Sequence, residues 1–102
     1  MNKEDFIMAN KVQNVTFTEA LERNKGLMMK IIKDTYHGEP KTSWENVLDG
    51  VLEYFTLYAN DEASENLADK FEQGEIDVLE VASEFEQFLI FGGIEDINEY
   101  DK

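Results

Sequence analysis

Residues 75–91, EIDVLEVASEFEQFLIF, decide the fold. Ile76, Val78, Val81, Ala82, Phe85, Phe88, Leu89 and Phe91 recur mostly at three- and four-residue steps, which gathers them into one broad helical stripe. Asp77, Glu80 and Glu84 lie on another face. Gly74 precedes the segment and Gly92-Gly93 follows it, and glycine just past a helix end is the usual stop. No other stretch carries so large an apolar stripe, so the remaining segments are expected to pack onto it. Val81, Phe85 and Phe88 are the expected centre of the core, faced by Trp44, Leu48, Val51 and Phe55.

Three helices are predicted before it. The first runs over about 17–36, with Thr16 and Glu19 as a capping box and Phe17, Ala20, Leu21, Leu27, Met28, Ile31 and Ile32 as its apolar face. Gly38 and Pro40 close it. The second covers 43–58, with Thr42 and Glu45 as a capping box, although Ser43 is an alternative cap. Gly50 in its middle costs about 1 kcal/mol against Ala, and close packing of another segment is the expected reason. A third, more polar helix is predicted over 61–73, capped by Asn60 or Asp61. Residues 1–15 offer a short helix around Phe6, Ile7 and Met8 or an extended piece at Val15 and Phe17; helix is preferred. The tail IEDINEYDK either docks through Ile94, Ile97 and Tyr100 as one further turn or frays, which such tails do more often. The expectation is therefore an all-α, single-domain bundle of about four helices over 1–102, with 1–15 and 94–102 peripheral.

Charge is unevenly spread. Residues 1–41 hold seven Lys/Arg against six Asp/Glu, whereas residues 42–102 hold two Lys against seventeen Asp/Glu, so a net of +1 is followed by a net of −15. Such a surface repels nucleic acid and anionic membranes and attracts basic partners. No apolar run approaches the roughly 18–20 residues that span a bilayer. MNKEDFIMANK lacks the apolar region of a secretory signal, and the chain has no cysteine for disulfides, thiolate metal sites or thiol nucleophiles. The expected location is the cytoplasm, that of a host if the chain is phage-encoded.

Catalytic chemistry finds little material. His37 is the single histidine, so there is no histidine pair or triad. Asp34, His37 and Glu39 sit near one another at a helix end but lack the ligand spacing of a metal site. The acids between Asn60 and Glu72 lack the central glycine and terminal glutamate of a calcium loop. Paired carboxylates become an acid and a base only in a cleft that separates their pKa values, and nothing places two acids in an apolar pocket. The chain is expected not to be an enzyme and to need no metal or cofactor.

Acidic rows remain. Glu45, Asp49 and Glu53 follow one line of the second helix; Glu62, Glu65, Asp69 and Glu72 share a face of the third; Asp77, Glu80 and Glu84 line the fourth. Charges opposite an apolar face are ordinarily a helix's solvated side. These rows, however, repeat one sign at four-residue steps, where like charges cost about 0.2–0.5 kcal/mol per pair. Carboxylates one turn apart stand about 5–6 Å from each other, a separation comparable to that of neighbouring phosphates on a nucleic-acid strand. In size and charge the chain resembles small acidic helical proteins of bacteriophages and mobile elements that act as DNA mimics or host-enzyme inhibitors. That resemblance rests on no motif and transfers no residue roles. It implies an inhibitor that occupies the basic surface of a DNA-binding enzyme or nucleoid protein, and the rows themselves make these ten acids the expected contact surface. The alternatives are an immunity or antitoxin-like protein against a basic toxin, and a phage assembly chaperone or adaptor with an exposed apolar groove drawing on Met28, Met29 and the aromatics.

Overall fold

In the computed structural model, which describes residues 15–92 and 97–100, five α-helices and two 3₁₀ turns hold 73% of the described residues, with no strand among them. The protein is a small all-α bundle, as its apolar periodicity predicts.

Local chemistry sets most of the element ends. Helix α1, Phe17–Arg23, starts where the Thr16 hydroxyl accepts the Glu19 N–H at 3.1 Å. The single helix predicted over 17–36 breaks at Asn24 (φ −113°, ψ 27°). There the side-chain amide donates to the Ala20 carbonyl at 2.7 Å, while the Asn24 backbone N–H is shared between the Ala20 and Leu21 carbonyls. The chain re-enters at once as α2, Lys25–Thr35, with the Asn24 carbonyl accepting the Met28 N–H. Helix α3, Trp44–Ala59, is capped by Ser43, whose hydroxyl accepts the Asn46 N–H at 3.1 Å. Thr42, the expected cap, accepts instead from the Asn46 side chain at 2.8 Å.

The helix predicted over 61–73 is also broken. It comprises a 3₁₀ turn, Glu62–Ser64, and a short helix α4, Leu67–Glu72. Between them Glu65 and Asn66 adopt left-handed backbone at φ 59° and φ 60°. The run from Asp61 to Asn66 supplies its own turn: the Ser64 hydroxyl donates to the Asp61 carbonyl and accepts the Leu67 N–H. Short polar side chains of this kind compete with helical hydrogen bonds. Gly74, at φ 77°, turns the chain towards the last helix. That helix, α5 (Val78–Phe91), begins three residues later than predicted, because Asp77 caps it by accepting the Glu80 N–H at 2.9 Å.

Helix α5 packs most extensively on α2, and α1 packs against α3 and α4. Phe55 of α3 joins these contacts. Its ring lies 5.8 Å from Phe17 of α1, 4.9 Å from Phe85 and 5.4 Å from Phe88 of α5, and 6.3 Å from Tyr58. Phe71 of α4 reaches Phe17 edge-on at 6.0 Å. Val81, Phe85, Leu48 and Val51 are buried as expected. Phe88 and Trp44 are only half-buried, and Trp44 lies beneath the Lys33 ammonium at 5.3 Å, a cation–π contact with α2.

The C-terminal segment docks. Ile97 and Tyr100 are buried, the second 3₁₀ turn spans Ile97–Glu99, and Asn98 accepts the Lys41 N–H at 2.7 Å. Tyr100 sits edge-on to Tyr54 at 5.3 Å, and its carbonyl occupies the place a Cβ would take at Gly50. Gly50 therefore serves close approach, as expected, and the approaching segment is the tail. Ile94 and residues 1–14, with the Phe6–Met8 helix reading, lie outside the described residues.

Burial of these tyrosines has a pH consequence. Desolvation, reinforced by nearby Glu99, raises the Tyr36 hydroxyl above its ordinary value of 10.0; burial first, then Tyr36, Glu99 and Tyr54, raises Tyr100 further. The Tyr36 hydroxyl also donates to the Leu89 carbonyl at 3.3 Å. A raised folded pKa leaves stability intact below the unfolded value and removes it as pH rises through the folded one. The urea midpoint is thus expected to fall once pH exceeds about 10, and to fall less in Tyr100→Phe. An equal fall in both proteins would show that Tyr100 ionises freely in the fold.

Candidate acidic interface

Helix α3 presents Glu45, Asp49 and Glu53 on exposed positions one turn apart, so the four-residue row predicted there is preserved. Glu80 and Glu84 are likewise exposed and one turn apart on α5. The row of Glu62, Glu65, Asp69 and Glu72 is not preserved. With Glu62 in a 3₁₀ turn, Glu65 in left-handed backbone and the other two in α4, the four carboxylates do not share one helical face. Glu65 therefore no longer stands one helical turn before Asp69.

Two of the acids also have structural work. A Glu72 carboxylate oxygen accepts the Phe17 N–H at 2.8 Å, which ties α4 to the exposed donor end of α1. Asp77 caps α5. Both groups place negative charge near helix N-termini, where it is favoured. Sequence spacing assigned Glu72 to a surface row because its partner lies 55 residues away.

Among the described residues, Lys25 and Lys70 meet the acidic surface. Lys25 of α2 lies 3.0 Å from Glu22 and 3.7 Å from Asp49, joining three helices at their surface. The Glu22 hydrogen bond and charge, with a smaller contribution from Asp49, hold the Lys25 ammonium above the usual lysine range. Lys70 reaches Glu65 at 3.3 Å. Glu45 on α3 and Glu80 and Glu84 on α5 form no ion pair among the described residues.

Two clefts border these acids. One, of about 340 Å³, brings Glu65 together with Glu80 and Glu84 above Tyr58, Leu67 and Ile76. Periodicity could not place Glu65 beside α5, because the left-handed turn that positions it has no helical period. The other, of about 320 Å³, runs between α1 and α3. Its apolar residues are Leu21, Leu52 and Leu57, and Glu22, Asp49 and Glu53 stand at its edges. Glu22 and Leu57 are absent from the sequence-based site. Leu57 was legible as an apolar residue four positions after Glu53, on the acidic side of α3.

Among the described residues, a few large apolar side chains are exposed. Leu57 is 65%, Leu79 73%, Ile90 50% and Phe91 78% exposed. Met28 is buried and Met29 half-buried against the core. Among the described residues no three of His, Cys, Asp and Glu gather as a metal-ligand set. No helix among them is long and apolar enough to cross a membrane. Comparison with family models, with curated proteins and with solved structures returns no match.

Proposed function

We propose that this chain is a non-enzymatic inhibitor that occupies a basic, DNA-binding surface of a partner protein through the acidic faces of α3 and α5. The observation that carries this reading is the survival of exposed one-turn carboxylate rows on two helices of the folded protein. Glu45, Asp49 and Glu53 on α3 and Glu80 and Glu84 on α5 all remain exposed at one-turn intervals. Lys70 is the one cation in residues 42–92. A surface that served solubility alone would tolerate Lys among these positions and avoid the repulsion of like neighbours. Fixed rows of carboxylates instead suit a groove lined with Lys and Arg, where they stand in for phosphates. Glu62, Glu65, Asp69, Glu72 and Asp77 contribute charge around these rows, Glu72 and Asp77 while holding helix ends. The partner is accordingly a basic protein, such as a DNA-binding enzyme or nucleoid protein, in the cytoplasm.

The test is charge reversal. Asp49→Lys with Glu53→Lys is expected to weaken the captured partner's binding by at least about tenfold, or ~1.4 kcal/mol, while the circular dichroism spectrum stays helical. Single neutralisations are expected to do less, since an exposed ion pair contributes about 0–1 kcal/mol. A partner held equally by the double reversal would leave these rows as solvated surface. It would favour instead an adaptor that binds through exposed Ile90 and Phe91, whose exposure is the observation behind that second reading.

A further inference from the structure

The groove between α1 and α3 has a more apolar lining than the cleft that gathers Glu65, Glu80 and Glu84. Leu21 and Leu52 are buried at its base, and Leu57 stands 65% exposed on its wall. The Thr56 hydroxyl is turned onto its own helix, donating to the Leu52 carbonyl at 2.7 Å, so it offers the groove no free donor. Glu22, Asp49 and Glu53 stand at the edges. At about 320 Å³ the groove is at the small end of ligand pockets, which run roughly 300–1,000 Å³. It suits one or two apolar side chains projecting from a partner.

Charge decides which partner. A second copy of this chain, at net −14, would bring acid against acid, whereas a cationic segment would meet opposite charge on the groove's edges. The molecule itself shows that these edges accept an ammonium: Lys25 reaches both Glu22 and Asp49. We infer that the α1–α3 groove docks a basic amphipathic helix of the partner, apolar residues against Leu21, Leu52 and Leu57 and flanking Lys or Arg against Glu22, Asp49 and Glu53. Helix-in-groove recognition reads the partner as apolar anchors at one-turn spacing. This inference rests on the proposal that the acidic faces meet a basic protein. It adds that shape, as well as charge, selects the partner.

The experiment uses the full chain and three synthetic peptides of about 18 residues, or five helical turns. The first places Leu in a helical stripe with Lys elsewhere; the second has the same composition with the Leu scattered; the third replaces every Lys of the first by Glu. The striped basic peptide is expected to bind about tenfold more tightly than the scattered one and to shift the amide resonances of Leu21, Leu52 and Leu57. Leu57→Gln, an exposed change that should leave the fold intact, is expected to abolish that preference. Lys25→Ala, which releases Glu22 and Asp49, is expected to tighten the striped peptide severalfold. Equal binding of striped and scattered peptides, an unaffected Leu57→Gln, or shifts confined to α5 would overturn the groove while leaving the charge-based reading in place. Binding of the Glu peptide as tightly as the Lys peptide would overturn both. Concentration-dependent dimers that Leu57→Gln dissolves would overturn the proposed occupant in favour of a second copy.

Discussion

Phe55→Ala is expected to lower stability by about 3–5 kcal/mol, the range for removing a buried aromatic ring and leaving a cavity. Phe55 is fully buried, and its ring contacts Phe17, Tyr58, Phe85 and Phe88, so one substitution strips partners from three helices at once. Those contacts include edge-on and tilted pairs, worth about 0.5–1.5 kcal/mol each beyond the area they bury. A domain of this size holds roughly 5–15 kcal/mol in total, so the variant should be partly unfolded at 37 °C. Urea unfolding followed by circular dichroism measures the loss. A midpoint within about 0.5 kcal/mol of the parent would show that the aromatic cluster does not hold α1, α3 and α5 together.

Gly50→Ala should produce an effect whose sign depends on the tail. In an isolated helix the change gains about 1 kcal/mol. Here the new Cβ meets the Tyr100 carbonyl, a backbone atom that cannot swing aside as a flexible side chain can. The segment must lift, exposing Ile97 and Tyr100, and each such side chain is worth roughly 1.5–3 kcal/mol when buried. The expected net is a loss of about 2–5 kcal/mol in the full chain. In a chain ending at Asp96 the same substitution should instead stabilise by about 1 kcal/mol. A gain in both backgrounds would mean that the tail does not rest on α3.

These two residues also show how far sequence reaches. The α3 and α5 stripes were readable because each apolar position is repeated within its own helix at the helical period. Gly50 could be read as a close approach, since nothing else justifies glycine in the middle of a strong helix. The tail that approaches it was not readable, because IEDINEYDK has only three apolar anchors and their burial depends on a surface formed by residues far away in sequence. Both broken helices failed for one reason. Asn24 and the Ser64–Asn66 turn interrupt by side-chain hydrogen bonds to backbone, while the apolar residues on either side keep a spacing close to helical. The acidic rows divide in the same way. Glu45, Asp49, Glu53, Glu80 and Glu84 lie in unbroken helices and were placed correctly. Glu65 and Glu72 are positioned by a left-handed turn and by a long-range hydrogen bond to Phe17, neither of which has a period to detect.

The proposed function turns on whether folded carboxylate rows replace DNA on a basic surface. The direct measurement is competition: proteins retained by the immobilised chain are eluted, and their binding to labelled duplex DNA is titrated with the free protein at low and moderate salt. The DNA is expected to be displaced, with displacement weakened steeply by salt and largely lost in Asp49→Lys/Glu53→Lys. Ternary complexes in which DNA and this protein bind together, or displacement untouched by the double reversal, would contradict the proposed function.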